Sequence, residues 1–405
     1  MRAVFTYLKG DKVVWMIAFI LALFSLVSVY SFTPILANDE TGTEGFLFKH
    51  FITIITGFAL MFYIHEINFK YFSKLSHIGL WVAVILLFVT LVAGVNINSA
   101  GRWLVIPLIN QKFQTSDFAK LVLIIYVARM LTLNRENLHN FKEGVLPILI
   151  PVVLICGLIF PENFSTAAML FALCLIMMFI GGVNWRYILL IIFGAIVMVA
   201  FVILLAKVFP GLLPRLDTWI NRIFNFSAED PRETWQINNA LMAIKNGGFW
   251  GMGPGNGQLK HELPQAYADF VYASFIEEFG SLGGGFLLLL FLILTYRVIR
   301  IASKCEKIFG SLAVLGLCLN LVFMAFVNMA VCTQLVPVTG QNIPIISMGG
   351  TSTWFTCIAL GVILSVSRSI EEEKIKEEKL KEQNRKKKEE EEEEKPVEGG
   401  EYAVA

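Results

Sequence analysis

Ten apolar stretches recur along this chain, each about long enough to cross the roughly 30 Å of hydrocarbon in a bilayer as an α-helix. Backbone polar groups inside a bilayer must be hydrogen-bonded within the protein, and a helix achieves this locally. The composition agrees, because 56% of the residues are hydrophobic and only 16% are charged. The sequence therefore predicts an all-α integral membrane protein with about ten transmembrane helices. They lie near residues 13–36, 48–64, 78–95, 117–133, 145–160, 165–181, 187–207, 269–296, 308–332 and 351–367.

The connections on one side of the predicted bundle are rich in basic residues, among them Arg2, Lys70, Arg135, Arg186 and Arg300. The positive-inside rule makes this side cytoplasmic, so both termini are predicted to be inside. The opposite, outer side receives residues 96–116 and 333–350, and a large loop at about 208–268 before the eighth helix. Residues 1–370 thus form one predicted membrane domain.

The composition changes after Arg368. Residues 371–388 alternate in charge at helical spacing, and residues 389–394 are consecutive glutamates. Such a charge run is typical of a solvated helix that fades into disorder. We therefore predict a cytoplasmic tail at 371–405, helical to disordered, with a docking segment as the alternative.

Several function classes are disfavoured. The six cysteines lie in or beside apolar stretches without the spacing of a metal site, and no nucleotide-binding motif is present. Without its acidic tail the chain is basic, which suits anionic membrane lipids or a phosphate-bearing substrate and gives no reason to expect a nucleic acid. Any reaction must be carried out by the membrane domain.

Residues 237–285 combine the features that point most directly to chemistry. A short amphipathic segment is followed by six glycines within eleven residues, and Asp269 stands at the start of the eighth apolar stretch. The glycines are expected to bend the backbone and to offer amide groups to phosphate oxygens, with a flexible re-entrant loop as the alternative. Asp269 lies where water, headgroups and a membrane-anchored substrate meet, although an aspartate there can also cap the helix.

Charged residues inside or near the apolar stretches are further candidates. Glu277 and Glu278 would lie roughly 12–14 Å beyond Asp269 on a continuous helix, either paired with a basic residue or lining a cavity. Lys120 lies just inside the fourth stretch, where a charge needs a cavity or a partner unless it snorkels to the interface. A cluster of outward cations would suit a pyrophosphate. The basic residues predicted on the outer side are Arg102, Lys112, Lys120, Arg215, Arg222, Arg232, Lys245 and Lys260.

Three separated outer segments carry a resemblance to a known family. The first is Gly101-Arg102-Trp103 followed by residues 113–121, and the second spans residues 247–270. The third holds Asn328 and residues 337–352, and closes with Ser367-Arg368. In this order, within a ten-helix pattern, they resemble the SEDS family, whose members include FtsW, RodA and SpoVE.

The resemblance implies a ten-helix SEDS fold and a peptidoglycan glycosyltransferase. It would polymerise lipid II into β-1,4 glycan at the outer face of the bacterial cytoplasmic membrane, together with a class B penicillin-binding protein. The sequence leans weakly towards the division member FtsW, which implies septal synthesis and other divisome proteins as partners. A RodA-like elongation polymerase and a lipid-linked precursor flippase or transporter are the alternatives, and a scaffold acting through the tail is a further one.

The resemblance also assigns residues. Asp269 matches the family's essential aspartate and is the candidate general base, while Arg102 and Lys120 match basic positions thought to serve the lipid-linked substrate. Lys260, Gln114 and Ser347 complete the predicted substrate-binding set, and Glu277 and Glu278 are candidate supporting residues. The chain departs from the family pattern Pro-Glu-x-His-Thr-Asp, because it reads Pro264-Gln265-Ala266-Tyr267-Ala268-Asp269.

One carboxylate suits this chemistry. A sugar hydroxyl must lose its proton to a base, whereas the pyrophosphate leaves as a stable anion and needs no second acid. The cations would bind phosphates and offset developing charge. The sequence contains no dedicated metal cage, and a divalent cation, Mg²⁺ or Mn²⁺, bridging Asp269 and the pyrophosphate is left open.

Overall fold

The computed structural model describes residues 8–36, 42–97, 100–106, 111–208, 231–258, 261–262 and 268–393. These residues form eleven α-helices and one small sheet. The helices are α1 (Lys12–Leu36), α2 (Gly42–Glu66), α3 (Lys70–Ala93), α4 (Thr115–Leu133), α5 (Leu146–Ile159), α6 (Phe164–Ile180), α7 (Trp185–Val208), α8 (Pro231–Gly247), α9 (Val271–Lys304), α10 (Ile308–Cys332) and α11 (Thr351–Glu393).

The predicted all-α membrane architecture is confirmed. Eight helices in the described ranges are long and apolar enough to cross a membrane, namely α1, α2, α3, α5 with its preceding π-helical turn, α7, α9, α10 and α11. Two further helices occupy predicted spans. Of these, α6 has only 17 residues, and α4 carries Asp117, Lys120 and Arg129. Helices therefore occur at all ten predicted positions.

Helix α10 lies at the centre of the bundle, where it contacts α4, α6, α9 and α11. Helices α2 and α11 pack closely because glycines allow their backbones to approach. A Cβ at Gly57 would lie 3.0 Å from the Cys357 sulfur, and one at Gly361 would lie 3.0 Å from the Met61 carbonyl oxygen. Helix α7 packs mainly on α6, and most of its side chains are exposed.

A three-stranded antiparallel sheet occupies much of the connection before α4, which the sequence predicted only as a loop. Its strands β1 (Val95–Ile97), β2 (Ala100–Ile106) and β3 (Gln111–Gln114) pair in the order β1-β2-β3. Trp103 of β2 lies opposite Gln114, and β3 runs directly into α4. Strands this short carry a weak alternation signal, which explains why they were missed.

Helix α9 occupies the predicted eighth span near 269–296, and it carries an interruption that the sequence analysis did not predict. It begins at Val271 and runs to Lys304, but Gly280 has φ +72° and ψ 177°, outside the helical region. A break in a membrane helix frees backbone groups that must find partners elsewhere in the protein. Val271–Lys304 is therefore a short first segment followed by a long second one.

The glycine-rich loop after α8 supplies the missing partners. It hydrogen-bonds to backbone groups on both sides of the break over 2.9–3.3 Å: Ser281 N–H to Gly248 O, Leu282 N–H to Phe249 O, Met252 N–H to Glu277 O, and Gly253 N–H to Glu278 O. The amides of Met252 and Gly253 are thus engaged by α9, so the prediction that this loop offers its amides to phosphate is wrong for them. Gly247 and Gly251 serve instead to bring the loop backbone into contact with that of α9.

Replacing Gly251 with alanine should destabilise the protein much more than the same change at Gly255. The two residues have nearly equal φ angles, +83° and +82°, so each alanine bears a conformational cost of about 1–2 kcal/mol. A Cβ at Gly251 would also lie 2.5 Å from the Gly280 nitrogen, whereas one at Gly255 would have no neighbour within 4 Å. We expect the steric clash to add about 1–3 kcal/mol.

The measurement is the thermal unfolding midpoint of each purified variant in detergent. A clearly larger decrease for Gly251→Ala is the expected result. Equal decreases for the two variants would show that the loop does not contact α9 as described.

The end of the bundle remote from Asp269 is held by an ion pair. Asp11 is buried, accepts a hydrogen bond from Val13 N–H at 2.9 Å, and thereby caps α1. Its carboxylate also accepts a 3.0 Å hydrogen bond from Nε of Arg297. The start of α1 is thus fixed to the last turns of α9.

Helix α11 continues from the bundle into the predicted tail. Its first turns beyond the bundle are anchored, since Glu371 accepts from Gly10 N–H at 3.3 Å and Glu373 pairs with Lys307 at 2.8 Å. The hydrogen bond to Glu373 raises the pKa of Lys307. The helix reaches Glu393, and residues 394–405 lie outside the described part, so the predicted cytoplasmic tail stays a prediction.

Candidate functional site

Asp269 lies in the turn that leads into α9 and is half-buried. The N-cap position of α9 is Phe270, which makes no side-chain cap hydrogen bond, and Asp269 precedes it by one residue. The carboxylate faces the loop between α10 and α11. A Cβ at Gly340 would lie 3.8 Å from both Oδ1 and Oδ2 of Asp269, and Gly340 has φ +68°. A glycine here leaves room beside the carboxylate.

Two side chains hold the backbone of the Asp269 turn. Asn328 of α10 is 1% exposed, and its Nδ2 donates to the carbonyl oxygen of Asp269 at 2.9 Å and to that of Gln341 at 2.7 Å. Ser347 donates its hydroxyl to the carbonyl oxygen of Ala268 at 3.2 Å. The turn is therefore attached to α10 and to the loop that follows it.

The same network reaches α6. The side-chain Nε2 of Gln341 donates to Oγ1 of Thr166 at 2.8 Å, and both residues are buried. Thr166 belongs to the first turn of α6, where its N–H is capped by the side chain of Asn163 at 3.2 Å. Elements distant in sequence thus converge on the segment that carries Asp269.

Ser347 was predicted to bind substrate, and its described contacts are to protein. Its hydroxyl accepts from Ile343 N–H at 2.8 Å besides donating to Ala268. These bonds close the turn at 343–347 and join it to the Asp269 segment. A contact with substrate stays a prediction.

Lys120 is buried and ion-paired. Its ammonium lies 2.7 Å from Oδ1 of Asp117, one turn earlier on α4, and 3.9 Å from the sulfur of Met324 on α10. With 4% exposure the side chain does not snorkel to an interface. Met324 and Asn328 are one turn apart on α10, so Lys120 and the Asp269 turn contact neighbouring turns of the same helix.

Gln114 lies at the junction of β3 and α4. Its backbone N–H points to Oγ1 of Thr351 at 3.3 Å, and its side-chain amide donates to Ser116 at 3.0 Å. Thr351 begins α11, four residues after Ser347. Gln114 therefore lies beside the loop that contacts Asp269, and its binding to substrate stays a prediction.

Glu277 and Glu278 lie at the end of the first segment of α9 and are 0% and 4% exposed. Glu277 accepts from the backbone N–H of Gln258 at 3.1 Å, and Glu278 accepts from the hydroxyl of Ser31 on α1. A Cβ at Gly257 would lie 2.8 Å from Oε2 of Glu277. Both carboxylates thus help to seat the glycine-rich loop and α1 against the interruption of α9.

Two of the predicted cationic residues cannot be located at the site. The backbone of Arg102 belongs to β2, next to Trp103, but its side chain is not among those described, and Lys260 lies outside the described residues. Their predicted phosphate contacts stay predictions.

The described residues contain no group of three or more His, Cys, Asp or Glu side chains arranged to hold a metal ion. A cation at Asp269 would therefore need further ligands from substrate or water. The Mg²⁺ or Mn²⁺ left open by the sequence stays a prediction.

Asn328 and Thr166 were not assigned a role from the sequence. A signal existed for Asn328, because an amide side chain within an apolar stretch must find buried partners. Thr166 carried no comparable signal, since its partner is 175 positions away in the chain.

Comparison with known proteins places the chain in a family. Residues 11–372 match the model of the FtsW, RodA and SpoVE family, described as cell cycle protein. A protein named probable peptidoglycan glycosyltransferase FtsW from a Geobacter species is 32% identical, over 88% of this chain and 96% of its own length. Stage V sporulation protein E of Bacillus subtilis is 30% identical, over 88% of this chain and 97% of its own length.

Solved structures share the fold. One comes from a study titled as the structural coordination of polymerization and crosslinking by a peptidoglycan synthase complex, with a TM-score of 0.70, 23% identity, and coverage of 89% of this chain and 98% of that one. The rod shape determining protein RodA of Thermus thermophilus gives a TM-score of 0.62 at 22% identity, covering 90% of this chain and 98% of its own. This protein is therefore a multi-pass membrane protein that belongs to the SEDS family of FtsW, RodA and SpoVE.

Proposed function

We propose that this chain is a peptidoglycan glycosyltransferase that polymerises lipid II at the outer face of the bacterial cytoplasmic membrane, with Asp269 as the general base. The observation that carries the proposal is the Asp269 turn itself. A half-buried carboxylate stands at the start of an interrupted membrane helix, and buried side chains from two other elements hold its backbone. Such fixation is what a catalytic base requires. Family membership supports the same reaction.

In the proposed reaction the 4-hydroxyl of one sugar attacks the anomeric carbon of another. The new glycosidic bond forms as the bond between that carbon and the lipid pyrophosphate breaks, and the hydroxyl proton passes to the Asp269 carboxylate. The bonding electrons leave with the pyrophosphate as a stable anion. A second carboxylic acid is therefore not needed, unlike in a glycosidase that must protonate a poor leaving group.

Cations near the site would stabilise the leaving pyrophosphate. Lys120 contacts α10 one turn from Asn328, and an ammonium has three donors, of which Asp117 accepts one. Arg102 is proposed as an additional phosphate ligand on the strength of the family resemblance, and Lys260 because it is one of the cations predicted on the outer side. Gln114 and Ser347 would contact the glycan or the pyrophosphate from the neighbouring loops.

A role in septal synthesis is the finer part of the proposal. The relatives named FtsW and the description of the family model as cell cycle protein support it. We further propose a class B penicillin-binding protein as the partner, since the solved complex with this fold is described as coordinating polymerization and crosslinking. Other divisome proteins would join them, and the basic connections would place both termini in the cytoplasm.

The proposal is tested with the purified full chain and lipid II in liposomes, alone and with the cognate class B penicillin-binding protein. Glycan strands made by the chain or by the complex are the expected result. If a folded complex made no glycan but moved fluorescent lipid II between leaflets, the flippase alternative would replace the proposal.

The septal role has a separate test in the cell. Depletion of the chain should give filaments with unfinished septa. Rounded cells that still divide would instead assign it to elongation, as the RodA-like alternative requires.

A further inference from the structure

We propose that Asn328 is a positioning residue, which fixes the direction of the Asp269 carboxylate through the backbone of the turn that carries it. The inference rests on the proposed function. Asn328 does not contact the carboxylate oxygens in the described set of hydrogen bonds; it binds main-chain oxygens on both sides of the site.

The geometry of Asn328 is that of a clamp between two segments. Its Nδ2 lies 2.7 Å from the carbonyl oxygen of Gln341, 2.9 Å from that of Asp269 and 3.4 Å from that of Ala268. An amide nitrogen has two hydrogens, so these three oxygens use its full donor capacity. The side chain is 1% exposed, so water cannot readily replace these bonds.

Asn328 joins the turn that carries the Asp269 carboxylate to the segment that lies beside this carboxylate. Asp269 carries it, and Gly340, next to Gln341, faces both of its oxygens. The direction of a side chain is set by the Cα–Cβ bond, which follows the backbone. Loss of the Asn328 hydrogen bonds would therefore change both the direction of the carboxylate and its distance from Gly340. A displacement of about 1 Å can reduce a rate by about 10²-fold.

The alternative is that Asn328 only stabilises the fold. Two neighbouring contacts allow the roles to be separated. Cys332, one turn further on α10, lies with its sulfur 4.0 Å from the same carbonyl oxygen of Asp269 and 3.8 Å from Oδ1 of Asn328, and contacts of this length to a weak thiol donor orient neither group. Thr166 bonds to the side chain of Gln341 and is one step removed from the Asp269 turn.

The test compares Asn328→Ala and Asn328→Ser with Cys332→Ala and Thr166→Val in lipid II polymerisation, using the full chain with its partner. Rates are normalised to the folded fraction, measured by size-exclusion chromatography and thermal unfolding. We expect Asn328→Ala to lower kcat by about 10²-fold, with KM changed less than about threefold. Thr166→Val should lower kcat by less than about tenfold, and Cys332→Ala should resemble the wild type.

A folded Asn328→Ala variant with wild-type kcat would overturn the inference, as would a loss confined to KM. If Asn328→Ala does not fold, Asn328→Ser decides in the same way, because it retains one donor and a smaller side chain. Asp269→Asn is measured in parallel. Full activity of that variant would refute the proposed role of Asp269, whereas its inactivity beside an active Asn328 variant would refute only the positioning role.

Discussion

Replacing Asp269 with asparagine is expected to lower lipid II polymerisation by about 10²–10⁴-fold, the contribution usual for a general base. Asparagine has the same shape but cannot accept the proton of the attacking hydroxyl. The fold should survive the change, because Asn328 and Ser347 bond to main-chain oxygens of the turn, which the substitution leaves in place. The measurement is the steady-state rate of glycan formation with the partner present.

Two further variants test whether the reaction needs the carboxylate at this particular position. Asp269→Glu keeps the carboxylate but moves it by one methylene towards Gly340, so a loss of about 10²-fold is expected. Glu262→Gln removes an exposed carboxylate seven positions earlier and should leave the rate within about twofold of the wild type. Wild-type activity in Asp269→Asn would show that another group accepts the proton.

The membrane helices could be predicted because their signal is local. Each predicted stretch is a run of apolar residues, and the structure places a helix at every one of them. Length and hydropathy suffice for this prediction, since few structures other than a helix satisfy the backbone hydrogen bonds inside a bilayer. The position of Asp269 at the start of the eighth stretch followed from the same pattern.

The interruption of α9 could not be predicted in this way. Gly280 stands at the start of a glycine-rich run, with further glycines at 283–285, and such glycines weaken a helix without showing where it breaks. The break is stable because the loop at 248–253 supplies hydrogen bonds from about thirty positions earlier. A tertiary contact of this kind leaves no periodic signal in the sequence.

The ion pair between Asp117 and Lys120, unlike the break in α9, could have been predicted from local sequence. Asp117 precedes Lys120 by three residues on α4, which is the spacing of a helical ion pair. The sequence analysis required a cavity or a partner for Lys120 but did not name Asp117, and it assigned the ammonium to a phosphate. Its pairing with Asp117 makes the substrate role a question that a single substitution cannot answer.

Substituting Lys120 with methionine should strongly destabilise the protein, because it leaves the carboxylate of Asp117 buried without its cation. Removing one partner of a buried pair typically costs about 3–5 kcal/mol, whereas removing both is often close to neutral. We therefore expect Lys120→Met to lower the unfolding midpoint markedly, and the double variant Asp117→Asn/Lys120→Met to recover most of the loss. Methionine matches the length of the aliphatic part of lysine, which limits the change in packing against Met324.

Activity separates the two roles of the lysine. If the ammonium binds the lipid pyrophosphate as proposed, the double variant should fold like the wild type and still polymerise lipid II at least about tenfold more slowly, mainly through a higher KM. Wild-type kinetics in the stable double variant would show that Lys120 serves only to neutralise Asp117. The phosphate contacts of the reaction would then have to come from other cations of this chain, and Arg102 and Lys260 would be the residues to substitute next, since phosphate contacts are predicted for both from the sequence.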